Sequence, residues 1–111
     1  MAVFSPVGSS SISGSVSITG ATTPTIANVS VPLASTEVSY ALPANTKKFY
    51  IQLRDPKADL QLAYSAGTSG TIFVTVHRGT WYGEEILTAS AVTLYFQSAS
   101  GSQTAEIVSW V

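Results

Sequence analysis

From Val29 to Val111 the chain alternates apolar and polar side chains with a period of two, apart from one interruption at residues 79–86. Gly, Pro, Ser or Asn separates the runs. Successive side chains on a strand point to opposite faces, so this spacing buries one face and wets the other, whereas a helix needs a period of 3.6. The chain therefore reads as all-β, a sandwich or barrel of short strands joined by turns.

The clearest run is residues 48–54, which sends Phe49, Ile51 and Leu53 inward and Tyr50, Gln52 and Arg54 outward. Before it lie residues 25–31, stopped by Pro32, and residues 37–42, which put Val38, Tyr40 and Leu42 on one face. After it come Leu60, Leu62 and Tyr64, then residues 71–77 with Ile72, Val74 and Val76 inside. Gly67-Thr-Ser-Gly70 between these two runs is expected to close a four-residue hairpin loop. Residues 91–97 follow, with Val92, Leu94 and Phe96 inward. Residues 104–111 end the chain, with Ala105 and Ile107 on one face and Val108 and Trp110 on the other. The count is about eight strands, that of an antiparallel jelly-roll-like β-sandwich. A chain of 111 residues is one domain and can bury a core without a disulfide or metal staple.

Residues 1–25 differ from the rest. They carry no charge and are rich in Ser, Thr and Gly, yet Ile12, Val16 and Ile18 keep strand parity. Two readings stand: an edge strand after a leader, or an extended arm that orders against a partner's sheet edge. The division is then 1–25, an N-terminal arm or edge strand, and 26–111, the sandwich.

Charged residues make up 10% of the chain, against about 25% in ordinary soluble domains. Five basic side chains are too few for a phosphate-tracking stripe, so nucleic acid is not an expected partner. The first residues lack a basic leader, and no run of 18 apolar residues occurs, so neither a signal peptide nor a spanning helix is read and no membrane partner is expected. The chain reads as made and used without export machinery. A sparsely charged surface with open strand edges predicts a symmetric homodimer.

The groups from which most active sites are built are scarce: no Cys, one His at position 77 and six acidic residues. A lone His77 lacks a catalytic partner. Asp55 and Asp59 flank one turn, but Arg54 and Lys57 beside them make a poor cation cage. Glu84 and Glu85, being adjacent, face opposite ways in extended chain and cannot form a glycosidase pair. No catalytic, cofactor-binding or metal-binding residue is assigned, and the protein is expected not to be an enzyme. The interruption at 79–86 is read as an exposed loop carrying Trp81 and Tyr82. Large amphipathic rings outside strand cores suit sugar stacking or a protein interface, and Trp110 belongs with them. The candidate interface is thus Ile12, Val16, Ile18, Trp81, Tyr82 and Trp110, with Tyr50 and Tyr95 as possible extensions.

Residues 41–64, ALPANTKKFYIQLRDPKADLQLAY, and residues 92–110, VTLYFQSASGSQTAEIVSW, carry a resemblance to small structural proteins of tailed phages. The chain most resembles the capsid staple, or decoration, proteins of epsilon-fifteen-like short-tailed bacteriophages. That resemblance implies a jelly-roll-like sandwich akin to carbohydrate-binding modules. It further implies a virion protein, made in the host cytoplasm, that clamps neighbouring major capsid proteins from outside and pairs with itself across two-fold axes. It transfers no site residues. The expected function is therefore non-enzymatic stapling of the capsid. The alternatives are a carbohydrate-binding module, with Trp81, Tyr82 and Tyr50 as its stacking platform, and a tail or head-tail component of the same fold. A sugar is the small ligand that the second of these admits.

Overall fold

The computed structural model describes residues 23–86 and 91–111. Eight strands follow in order: β1 (Pro24–Val31), β2 (Val38–Ala41), β3 (Lys48–Leu53), β4 (Leu60–Ala63), β5 (Val74–Val76), β6 (Tyr82–Glu85), β7 (Thr93–Gln97) and β8 (Gln103–Trp110). They form two four-stranded antiparallel sheets, β1-β8-β3-β6 and β2-β7-β4-β5, here called sheet I and sheet II. This interleaved order is that of a jelly roll, and no helix occurs among the described residues.

The order follows from short connections. Residues 32–37, 54–59, 77–81 and 98–102 each join a strand of one sheet to a strand of the other. Such links carry the chain across the sandwich but not across a sheet, so β1 lies with β2 at one lateral edge and β5 with β6 at the other. The N–H and C=O groups of Ser35 and Ser98 tie two of these turns together (2.6 Å), and Ser102 N–H donates to the Pro32 carbonyl at 2.9 Å.

The alternation along β3 and β8 supplies sheet I's central share of the core. Phe49, Ile51, Leu53, Ala105 and Ile107 from sheet I meet Leu60, Leu62, Leu94 and Phe96 from sheet II. Each large apolar side chain taken out of water contributes about 1.5–3 kcal/mol. The expected inward faces of residues 48–54, 91–97 and 104–111 are therefore those observed.

Several expectations need correction. The connection after β4 runs from residue 64 to residue 73 rather than over four residues. Two turns shape it: Thr68 N–H donates to the Ser65 carbonyl (3.3 Å), Thr71 N–H to that of Thr68 (3.0 Å), and Gly67 takes a φ of 79°. Ile72 belongs to the second turn and is 77% exposed, and Val74, on a three-residue edge strand, is also exposed. Only Val76 of the expected inner set on this run is buried. Residues 82–85 form a strand rather than a loop, because the open edge of β3 offers them a hydrogen-bonding ladder that outweighs the poor strand propensity of Gly83-Glu84-Glu85. Pro24 and Thr25 belong to β1. Ile12, Val16 and Ile18 lie outside the described residues.

Candidate aromatic recess

The outward positions of sheet I fall into rows across its strands. Ile26 of β1 opposes Val108 of β8, which opposes Tyr50 of β3, which opposes Gly83 of β6. One row along stand Pro24, Trp110, Lys48 and Glu85, and on the other side Asn28, Glu106 and Gln52. An apolar row is thus bracketed by two rows that carry charge.

Gly83 sets the position of Tyr50. A Cβ at position 83 would lie 2.2 Å and 2.4 Å from Tyr50 Cδ1 and Cε1, so the ring rests against the bare Gly83 backbone. Trp110 meets Tyr50 edge to face, with ring centroids 5.8 Å apart and planes at 89°. Lys48 Nζ sits 4.8 Å from the centre of the Trp110 ring, a cation–π contact. Trp81, just before β6, completes a recess of about 330 Å³ lined by Tyr50, Trp81, Val108 and Trp110. Tyr50 is 42% and Trp81 48% exposed.

The polar flank is internally satisfied. Arg54 Nε donates to Glu106 Oε2 and Gln52 Nε2 to Glu106 Oε1, each at 2.8 Å. These two donors hold the Glu106 carboxyl below the usual carboxylate range. On the opposite flank Lys48 and Glu85 are register partners.

Of the candidates from the sequence, Trp81 and Trp110 come together on this recess, and Tyr50 joins them. Tyr82 does not. It opposes Ile51 on the inward side of β6 and packs against the core, while its hydroxyl donates to Glu84 Oε2. Burial, and then the Glu84 carboxylate, push the Tyr82 ionisation up; burial does the same to Tyr64, whose ring packs edge-on against Phe49 at 6.5 Å. The strand parity of β6 thus separates two rings that are neighbours in sequence. Tyr95 lies on sheet II, opposite Ala63. Val108, which the parity of β8 turns outward, was a lining residue legible in the sequence; the fit of Gly83 under Tyr50 was not.

Two further carboxylates are engaged elsewhere. Asp59 Oδ1 accepts Arg78 N–H (2.8 Å) and Nε (3.3 Å), and Asp55 Oδ1 accepts Lys57 N–H at 2.9 Å. Among the described residues no three His, Cys, Asp or Glu side chains cluster as a metal site.

No protein-family model matches the chain, and no curated protein matches it. A solved structure is similar: the solution NMR structure of a de novo designed double-stranded beta-helix, with a TM-score of 0.50, 17% identity, and coverage of 78% of this chain and 96% of that one. At that identity the likeness concerns the fold alone.

Proposed function

We propose that the protein is a non-enzymatic structural component of a phage virion that binds the outside of the capsid as a homodimer and bridges neighbouring major capsid protein subunits. The resemblance of residues 41–64 and 92–110 to capsid staple proteins supports the partner and the location. The observation that carries the bridging is a pair of sticky surfaces at opposite lateral edges. β1 is an eight-residue edge strand without a charged side chain, with no strand on its outer side among the described residues. Ile26 on it is 71% exposed. At the other edge, just before and within β5, Ile72, Phe73 and Val74 are all exposed.

An uncharged edge offers a free ladder of N–H and C=O groups to another strand. Two copies of β1 running antiparallel satisfy each other about a two-fold axis, the usual symmetry of a homodimer. Such a pair carries its two Ile72 patches at its far ends, each placed to grip one subunit. That geometry is what stapling requires.

Binding to assembled empty capsids, with sedimentation of the free protein, tests this reading. Ile72→Asp should weaken capsid binding about tenfold or more while leaving the dimer intact. Ile26→Lys with Asn28→Lys should split the dimer, since edge charges oppose strand pairing. A wild-type protein that is monomeric both in solution and on the capsid would remove the proposal, as would undiminished binding by Ile72→Asp. Copy number per particle separates a shell protein from a tail component of the same fold.

A further inference from the structure

We infer that the Tyr50–Trp81–Trp110 recess is a binding site for a neutral oligosaccharide, independent of the β1 dimer edge and of the capsid-gripping Ile72 patch. Three features of the face select that chemistry.

The first is shape. The recess is shallow and lined by four side chains, of which Tyr50 and Trp81 present exposed rings while Trp110 stands perpendicular to Tyr50 as a wall. A protein partner needs about 800 Å² and some 20–30 residues on its side of a stable interface. One recess of about 330 Å³ is instead the size of a small-ligand pocket. An aromatic ring has an electron-rich face, which attracts the weakly positive C–H groups on the flat side of a pyranose and buries its apolar surface.

Charge is the second. On one flank Lys48 stands opposite Glu85 with Glu84 beside them, and on the other Arg54 is bridged to Glu106, so the face carries no surplus of positive charge. A phosphate chain would meet at least one repelling carboxylate for each attracting cation. Stacked nucleobases are disfavoured for the same reason, since single-strand grooves combine aromatic rings with surplus positive charge. A neutral, polyhydroxylated ligand fits a surface that offers both donors and acceptors at its rim: the Lys48 ammonium and the Glu85 carboxylate.

The third is the way the site is held. Tyr50 can occupy its place only because position 83 lacks a Cβ, and Lys48 is drawn against Trp110 by the ring itself. Tyr50 and Trp110 therefore need little ordering when a ligand arrives, which preserves affinity at an open site. Gly83 is a positioning residue here: it touches no ligand but decides where Tyr50 stands.

Intrinsic Trp fluorescence of the full chain, titrated with cellohexaose, maltohexaose, mannohexaose and, as a charged control, hexagalacturonate, tests the inference. At least one neutral hexasaccharide should quench or shift the emission saturably, and hexagalacturonate should not. Tyr50→Ala, followed by the same Trp signal, and Trp81→Ala, followed by calorimetry, should each weaken binding about tenfold or more with the melting temperature little changed. Gly83→Ala should weaken binding with Trp81 and Trp110 both present, a loss that a merely adhesive surface would not show. Absence of a saturable response to all three neutral sugars overturns the inference, and so does binding that survives Trp81→Ala. Capsid binding by Trp81→Ala separates this site from the stapling edges: it should be unchanged, and its loss would assign the recess to the protein contact instead.

Discussion

The two sheets of the sandwich treat their outer faces differently. Across sheet II the chain lays its own connection, residues 64–73, and fastens it with one carboxylate: Glu37 accepts Gly67 N–H (2.8 Å), Ser69 N–H (3.0 Å) and the Ser69 hydroxyl (2.6 Å). The Ser69 side chain also reaches Gln97, an outward residue of β7, at 2.9 Å. Ala63, outward on β4, and Ser69 are both buried beneath or within this cover. Sheet I has no such cover among the described residues, and its outer face shows Tyr50, Trp81 and Ile26 to solvent. One fold thus roofs one sheet with a loop and leaves aromatic rings bare on the other. Bare rings are not a requirement of the sandwich, and an exposed apolar face that a neighbouring loop could have closed asks for a ligand or partner.

That contrast supposes a core indifferent to which sheet a residue comes from. Ile51→Ala in sheet I and Leu94→Ala in sheet II should each cost about 2–5 kcal/mol in denaturant unfolding, because both side chains are fully buried. Costs below about half a kcal/mol at both sites would mean that the inward and outward faces are exchanged.

Gly83 sharpens the account of sheet I. A Cβ there would come within 2.7 Å of the Phe49 carbonyl as well as into the Tyr50 ring, so Gly83→Ala must shift backbone and ring together. A loss of about 1–3 kcal/mol is expected, with a changed near-ultraviolet circular dichroism spectrum from the Tyr50–Trp110 pair. An unchanged spectrum would show that Tyr50 does not rest on the glycine.

The cover on sheet II is tested through Glu37. Its three hydrogen bonds, the Ser69 hydroxyl foremost, hold its carboxyl below the ordinary value of 4.5. A lowered folded value means that the stabilisation is complete at pH above about 4.5 and is lost as pH falls from there through the folded value. Glu37→Gln should cost about 1 kcal/mol at neutral pH, flatten part of the stability loss below pH 4.5, and speed hydrogen exchange at the Gly67 and Ser69 amides. Glu106 titrates with the same sign through Arg54 and Gln52, so some acid sensitivity should survive. Exchange rates identical to wild type would make the cover independent of the carboxylate.

The smallest effect belongs to the bare face. Trp81→Ala should change stability by no more than about 0.5 kcal/mol, since the ring is 48% exposed and outside the core. A loss of several times that size would turn the recess into a structural prop and erase the contrast with sheet II.

The alternation made the strands at 48–53, 93–97 and 103–110 legible, because a period of two has one physical meaning when one face must be buried. Legibility failed where a partner element decides the conformation. Tyr82-Gly-Glu-Glu85 has no strand pattern of its own and became β6 only because β3 has a free edge opposite it. Ile72 fits the pattern of a strand but was drawn into a turn that Glu37, distant in sequence, holds down through Ser69. At the site, parity alone put Tyr50, Val108 and Trp110 outward, while the separation of Trp81 from Tyr82 waited on the register of β6.

By itself the sequence determined that this is an all-β chain with a core of Phe49, Ile51, Leu53, Leu94, Phe96, Ala105 and Ile107, since those positions repeat at the strand period within single runs. Its low charge and near absence of His and Cys likewise belong to composition. Tertiary structure decided which strands became neighbours, which outer face received a cover, and which rings share a recess. Those outcomes rest on contacts such as Tyr50 upon Gly83 and Glu37 upon Ser69, between residues some 30 positions apart in a chain whose local pattern is silent about long-range pairing.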